Sequence, residues 1–426
     1  MRSRILTLLA GTAAASVLAG AAFAEDQTAP TPAPAAAPAA PAAPASWLST
    51  VSVTGHIEAG FTANPSVPDQ QISFGRLFDD RANTPLLNQV AITVQRPLNT
   101  SGGFDVGFKL QGMYGSDSRV THFIGELDRS VSGINQFDVV EANVQMHLPI
   151  LTKGGMDIKA GQFSTPIGQE VIDPTGNFFY SHSYIFNFGI PLKHTGILTT
   201  THVSSVLDIY AGYDTGVNTS VGTTGGPNAN QFHFLGGFGL NLKGWTVLAL
   251  THVGPEDCAC GPNAHSQLRY LNDVLVTHKI NDKLTSVTEF NYIRDDNFGA
   301  PASGGGVAEY LTYTLTPQIT AAMRAEVWRD NNGFFVAAFP GNFDFVNLEV
   351  GRPGTYYGQG PMTYGAVTFG LNIKPAKLPK QIDGLTLRPE IRYDTALSSG
   401  HPFNGSPGSG KDQVTIGIDL VVPLAM

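Results

Sequence analysis

Apolar and polar residues alternate along about sixteen separate segments of this chain, and the repeated pattern restricts the fold more than any other feature. In one of them, Phe104, Val106 and Phe108 alternate with Asp105 and Lys109. Successive side chains of a strand point to opposite faces, so a period of two predicts strands with one apolar and one polar face. The segments lie near 50–62, 88–97, 103–113, 136–148, 154–163, 195–203, 204–214, 231–243, 244–254, 266–280, 282–294, 306–316, 318–330, 362–374, 385–396 and 411–424.

The connections between these segments alternate between short and long. The short ones include 99–103, 243–244, 281–283 and 316–318, and the long ones include 63–87, 114–135, 164–191, 215–230 and 331–361. Bacterial outer-membrane barrels have this layout, with short periplasmic turns, long extracellular loops and an even number of strands. The sequence therefore predicts an all-β fold, a transmembrane antiparallel up-and-down β-barrel over residues 50–426. Pro389 is the one defect, because it removes a hydrogen-bond donor in the middle of a predicted strand.

Composition supports a barrel over a soluble sandwich or a helical membrane protein. Charged residues make up 14% of the chain, against about 25% in soluble domains. After the N-terminus, no segment approaches the roughly 18 consecutive apolar residues that a membrane-spanning helix needs.

The N-terminus predicts export. Arg2 and Arg4 precede an apolar run, and Ala22-Phe23-Ala24 forms a small-x-small cleavage signal, so residues 1–24 are interpreted as a signal peptide. Residues 25–49, rich in alanine and proline, are interpreted as a periplasmic linker.

Charge and cysteine content exclude several functional classes. Removal of the signal peptide leaves 23 of the 25 basic residues against 34 acidic ones, a net charge of −11, which argues against nucleic-acid binding. Cys258 and Cys260 are too few for a disulfide framework. A disulfide between these two cysteines is an open alternative in an exported protein, and two thiolates without further ligands make a poor metal site. The sequence gives no sign of a cofactor.

The connection at 164–191 is too aromatic for an ordinary solvent loop. It carries Phe178, Phe179, Tyr180, Tyr184, Phe186 and Phe188. Aromatic density argues against disorder, so we expect a folded loop that enters the lumen and narrows it. The alternative is a surface loop packed on itself.

The alternation of side chains between the two faces of a strand, which we call parity, places a set of charged residues in the lumen and at a predicted constriction. In 385–396 the apolar residues take the lipid face, which leaves arginines and carboxylates facing inward, and 318–330 repeats the pattern. If the long loop folds inward, its carboxylates face basic wall positions and set ion selectivity; alternatively, the arginines pair only with Glu326 and Glu390 beside them. The predicted pore-lining or constriction residues are Glu170, Asp173, Lys193, His194, Arg324, Glu326, Arg388, Glu390, Arg392 and Asp394.

The central stretch resembles a known family. The matching residues run G-Q-F-S-T-P-I-G-Q-E at 161–170, followed by Asn177, Ser181, Ser183, Phe186, Pro191 and His194-Thr195-Gly196, and the R-L-F-D at 76–79 also matches. They resemble the outer-membrane family named putative β-barrel porin-2, or OmpL-like. The resemblance implies a porin of the Gram-negative outer membrane and brings no established substrate. The chain departs from many such barrels by ending in Met426 rather than Phe.

Two functions follow as hypotheses. The first is passive diffusion of small hydrophilic solutes and ions through an aqueous lumen, which a barrel of sixteen strands is wide enough to hold. The second is a plugged barrel acting as an anchor or adhesin; its interior charges can pair into a closed network, whereas an open pore leaves them solvated. Ser181, His182, Ser183 and His194 do not have the arrangement of a catalytic triad, so no enzyme is expected. A homotrimer is expected only by architectural analogy.

Overall fold

Sixteen antiparallel strands form one closed barrel. The computed structural model describes residues 46–101, 103–220, 231–256, 267–296, 301–349, 352–405 and 408–425. The barrel strands are β1 (Ser52–Ala63), β2 (Pro85–Arg96), β3 (Asp105–Gly115), β4 (Gln136–Leu148), β5 (Met156–Ser164), β6 (Lys193–His202), β7 (Leu207–Asp214), β8 (His233–Leu242), β9 (Trp245–Pro255), β10 (Leu268–Lys279), β11 (Leu284–Asp295), β12 (Ala302–Thr316), β13 (Ile319–Asp330), β16 (Met362–Ile373), β17 (Thr386–Ala396) and β18 (Asp412–Ala425). The predicted fold class and strand number are confirmed.

The first and last strands close the barrel. β1 pairs with β18 from Thr54 opposite Ala425 to Ala63 opposite Ile416. No barrel strand within the described residues keeps a free edge, which is the condition for placing strands in lipid.

Alternation sorts the side chains of β17 as the sequence predicts. In β17, Ile391 and Tyr393 are 48% and 43% exposed on the outer face, whereas Arg392 and Asp394 between them are fully buried inside. On β8 to β10, by contrast, the inner face also carries buried apolar side chains, because Leu235 and Leu271 stand opposite the inner-face residue His252.

Two strands differ from the predicted pattern for identifiable reasons. β12 begins at Ala302, earlier than predicted, because Gly304 and Gly306 carry no apolar side chain for the alternation to show. A Cβ atom at Gly304 would lie 2.6 Å from the ring of Trp328, so glycine makes room for that indole. At Pro389, β17 keeps its pairing with β18, but two pairs are missing on the β16 side.

Short elements lie in the connections. They are α1 (Ser118–Thr121), α2 (Asp344–Glu349), the ribbon of β14 (Ala337–Ala338) with β15 (Tyr357–Gly358), and single helical turns at Trp47–Thr50, Asp69–Gln71, Pro174–Gly176, Ile185–Gly189 and Lys380–Ile382. Among the described residues, no helix is long and apolar enough to cross a membrane.

The predicted linker ends earlier than residue 49. Trp47 lies in a helical turn, donates a hydrogen bond from its indole to the carbonyl of Val106 at 3.0 Å, and has the Arg96 guanidinium over its ring. The rest of the predicted linker, the signal peptide and the Cys258/Cys260 pair lie outside the described residues.

A charge on the lipid face tests the assignment of faces. We expect Ile391→Arg to lower the free energy of unfolding by about 2–4 kcal/mol, because it brings a guanidinium into the hydrocarbon. Leu397→Arg, on an exposed residue just beyond β17, is the matched control and should change it by less than about 1 kcal/mol. Denaturant titration in lipid vesicles measures both, and equal losses would contradict the assignment.

Candidate functional site

The connection between β5 and β6 crosses the inside of the barrel. We call residues 165–192 the inner loop. The ring of Tyr180 approaches the backbone of Gly60 in β1, and the amide of Tyr184 donates to Glu326 in β13 at 2.7 Å. These strands are far from β5 and β6 in the strand order. The loop therefore spans the lumen, and Tyr180 and Tyr184 are 2% and 0% exposed.

Local hydrogen bonds give the inner loop its shape. The Asp173 carboxylate accepts from the amide of Thr175 at 3.0 Å and caps the turn Pro174–Gly176. The Asn177 side chain bonds both the amide and the carbonyl of Val171, at 3.0 and 2.7 Å. The hydroxyl of Ser183 accepts from the amide of Phe186 at 3.0 Å, at the start of the Ile185–Gly189 turn. These side chains replace backbone partners that a folded loop otherwise lacks.

Glu170 is the loop's main charged anchor. Its Oε1 lies 2.6 Å from a guanidinium nitrogen of Arg324 on β13. Its Oε2 accepts from the amide of Ser183 at 2.9 Å and lies 3.0 Å from Nδ1 of His182. Burial alone would raise the pKa of Glu170, but the Arg324 guanidinium and the His182 contact outweigh it and lower that pKa to about 2.

Wall carboxylates hold the backbone of the loop as well. Glu390 on β17 accepts from the amides of Tyr180 and Ser181, at 2.9 and 3.2 Å. Glu326 accepts from the amide of Tyr184. Hydrogen bonds to a charged group are roughly twice as strong as neutral ones, so the wall determines where this loop backbone lies.

Three wall arginines bind the carbonyl groups of the loop. Arg324 donates to Ser181 at 2.7 Å, Arg392 donates to His182 at 2.5 Å, and Arg388 donates to Pro174 and Asn177, both at 2.8 Å. All three arginines are at most 2% exposed. Backbone dipoles and carboxylates therefore surround each guanidinium, and none of the three faces open solvent.

These arginines have more partners than adjacent pairing predicts. Arg324 and Arg392 lie 3.3 and 3.2 Å from Glu326, the neighbour named in the alternative hypothesis. Arg388 pairs instead with Asp419 on β18 and Glu58 on β1, at 2.5 and 3.0 Å.

The side chains of four other predicted residues, Asp394, Asp173, Lys193 and His194, do not bind carbonyl groups of the inner loop as the three arginines do. Asp394 binds Arg392 at 2.8 Å and accepts from the Tyr184 hydroxyl at 3.1 Å. Asp173 is 41% exposed, and its nearest basic group is His56 at 3.7 Å. Lys193 is buried against Asp138 at 2.6 Å, and His194 is buried against Asp214 at 2.8 Å, both on the β4–β7 side of the barrel.

Comparison with known proteins identifies the chain. A family model described as Putative beta-barrel porin-2, OmpL-like, matches residues 50–424. The chain belongs to this porin family. No curated protein matches it.

Solved outer-membrane proteins share the fold of this porin. The anion-selective porin from Comamonas acidovorans superimposes with a TM-score of 0.54 at 9% identity, over 88% of this chain and 99% of that one. The trimer form of OmpT of Vibrio cholerae gives 0.52 at 11%, over 88% and 99%. The channel DcaP of Acinetobacter baumannii gives 0.50 at 10%, over 88% and 97%. At these identities the likeness shows the fold alone.

Besides Glu58 and Asp419, sequence reasoning missed a second loop that contributes to the site of this porin. The loop between β1 and β2 also enters the lumen, where Arg76 binds Asp79 at 2.5 Å and Asp394 at 2.8 Å. Asp80, next to Asp79, pairs with Arg119 of the loop between β3 and β4 at 2.8 Å. The run R-L-F-D-D at 76–80 could have indicated this loop. Three charged residues beside Leu77 and Phe78 seldom lie on an exposed loop without partners.

Acid should weaken the attachment of the inner loop. The pKa of Glu170 is near 4.5 in the unfolded chain and about 2 in the folded barrel. The stability that this carboxylate contributes is therefore fully present above pH 4.5 and is lost as the pH falls toward about 2. We expect the wild type to lose on the order of 3 kcal/mol more than Glu170→Gln over this range. Thermal unfolding in detergent at a series of pH values measures the difference.

The control is Asp173→Asn, which removes a carboxylate of the same loop and leaves the Glu170–Arg324 pair in place. It should keep the wild-type loss on acidification. If Glu170→Gln and the wild type follow parallel curves from pH 5 to pH 2, Glu170 is not the charged anchor.

Proposed function

We propose that this porin allows passive diffusion of small hydrophilic solutes and ions along a passage between the inner loop and the wall formed by β3, β4 and β5. The observation that supports the location is a difference in exposure. Lys109 and Lys159 face the lumen on this wall and remain partly exposed, with 30% of the Lys109 side chain accessible. Arg324, Arg388 and Arg392 on the opposite side are buried.

The two sides of the lumen therefore have different roles in the proposal. The wall from β13 to β18 holds the inner loop through paired charges. On the β3–β5 wall, Gln111 and Asn143 are buried and the two lysines stay partly exposed. Lys109 lies 3.2 Å from Glu141, and the Lys159 ammonium lies 5.6 Å from the ring of Phe163. Charged side chains that line a passage set its ion selectivity, so these two lysines favour anions.

The plugged barrel remains the second candidate because of one observation. The charges that contact the inner loop form a closed network, as expected for a barrel that serves as an anchor or adhesin. Planar-bilayer reconstitution distinguishes the candidates: stepwise conductance supports the porin, and a folded but silent barrel supports the anchor.

The cellular setting belongs to the same proposal. A cleaved signal peptide exports the chain to the outer membrane of a Gram-negative cell, where it contacts lipid. It assembles as a homotrimer, as the trimer form of OmpT does. If crosslinking in native membranes captures only monomers, the proposed homotrimer is contradicted.

We propose no enzymatic activity and no nucleic-acid partner. The Ser181 hydroxyl lies 3.2 Å from Arg324, the Ser183 hydroxyl accepts from the amide of Phe186, and His182 contacts Glu170. These contacts give the loop hydroxyls structural partners. A hydrolytic mechanism needs a base beside the nucleophile.

Ion selectivity tests the location of the passage. We expect Lys109→Gln with Lys159→Gln to move the reversal potential in a salt gradient toward that of a cation-selective channel, because two accessible positive charges are removed. Arg388→Gln with Arg392→Gln is the matched control, which removes two positive charges that the loop and wall enclose. It should leave the reversal potential near the wild-type value.

The opposite result would relocate the constriction. If the arginine pair moves the reversal potential and the lysine pair does not, the passage follows the β17 wall, as parity alone predicts. Heat-modifiable mobility on gels confirms that each variant is folded before its current is recorded.

A further inference from the structure

Two histidines and one aspartate meet on the inner wall near the extracellular end of the barrel. Asp214, the last residue of β7, has its Oδ2 2.8 Å from Nδ1 of His194 on β6 and 3.0 Å from Nε2 of His252 on β9. The three possible ligand atoms lie within 4.8 Å of one another. Each of these residues is at most 1% exposed. Among the described residues, this is the one group of three histidine, cysteine or acidic side chains whose possible ligand atoms lie this close together.

We propose that His194, Asp214 and His252 form a binding site for a divalent transition-metal ion of the zinc type. Zinc takes imidazole nitrogen and carboxylate oxygen at about 2.0–2.2 Å in a tetrahedral arrangement. Two imidazoles disfavour calcium and magnesium, which prefer oxygen ligands. Three protein ligands leave a fourth position for water. The site does not depend on the proposed permeation function.

The groups around the cluster hold its ligands in orientation. The Thr165 hydroxyl, at the start of the inner loop, lies 2.9 Å from Nε2 of His194. The amide of Gly216 donates to Oδ1 of Asp214 at 2.8 Å, and both oxygens of this carboxylate lie 3.0 Å from Nε2 of His252. Metal-binding histidines commonly bond through their second nitrogen in this way, and ligating carboxylates are themselves hydrogen-bonded.

The ring of His252 is placed in a manner that hydrogen bonding alone does not explain. Its Nδ1 is buried and has no hydrogen-bond partner among the described residues. Such a nitrogen costs roughly 1–3 kcal/mol. His233 stacks on the same ring at 5.3 Å, with the two planes 6° apart, and so fixes its plane. The stacked ring therefore presents Nε2 to the cluster in a fixed orientation.

Binding requires a lone pair at Nδ1 of His194 and at Nε2 of His252. The metal replaces the contacts of these two nitrogens with Asp214, and any excess proton held by the rings is released to solvent. Nε2 of His194 then donates a hydrogen bond to the Thr165 hydroxyl. No oxidation is required.

A cavity of about 480 Å³ lies next to the segment that follows Asp214. Val217 and Asn218 line it, as does Glu256, whose Oε1 lies 3.4 Å from Nε2 of His233.

Zinc content of the full-length barrel tests the site. The protein is refolded in detergent with Cys258 and Cys260 both changed to serine, so that loop thiols do not bind the metal. Equilibrium dialysis against zinc should give one tightly held ion per chain. Asp214→Asn and His252→Gln should each weaken binding at least tenfold. His278→Gln should bind as the parent does, because His278 stacks on Trp245 away from the cluster.

Two further variants separate coordination from a purely structural role. Thr165→Val should weaken zinc binding about 10–100-fold, as loss of a group that orients a ligand does. His252→Cys loaded with cobalt(II) should show a thiolate-to-cobalt charge-transfer band, which requires a bond between the cysteine and the metal. This measurement can still be made if the Asp214→Asn protein does not fold. A folded parent without stoichiometric zinc, unchanged affinity in Asp214→Asn, or a His252→Cys protein without the band would overturn the proposal.

Discussion

The structure depends on pairing every backbone group of the strands within the barrel. In hydrocarbon an unpaired amide or carbonyl has no water to bind, so an open sheet is excluded and β1 must meet β18. Closure creates two faces of opposite character, because successive side chains alternate between them. The sequence thus places one set of apolar residues toward lipid and most of its strand charges in the interior, where a second apolar set that includes Leu235 and Leu250 also packs.

The interior charges determine where the inner loop lies. Glu170 of the loop meets Arg324 of the wall, while Glu326 and Glu390 of the wall meet loop amides. Buried ionic groups are tolerated when charge partners and hydrogen bonds satisfy them. The loop and the β13–β18 wall supply each other with these partners. The opposite wall keeps water-accessible lysines, and this asymmetry is the basis of the proposed passage.

The strand pattern could be predicted from sequence, because alternation is a local property that each segment carries by itself. Arg388, Arg392 and Asp394 were assigned to the inner face by the same parity, and they are buried there. Their partners could not be predicted, since contacts such as Arg388 with the carbonyl of Pro174 join residues distant in sequence. The meeting of His194, Asp214 and His252 depends on strand register, which short-range patterns do not specify.

In the proposed pore, the inner loop closes one side of the lumen and leaves the other side open. Cysteine substitution with a charged, membrane-impermeant thiol reagent tests it, in the protein with Cys258 and Cys260 changed to serine. Lys109→Cys should react during bilayer recording and lower the current, whereas Thr368→Cys, buried behind the loop on β16, should not. Block at Thr368→Cys with none at Lys109→Cys would contradict the account.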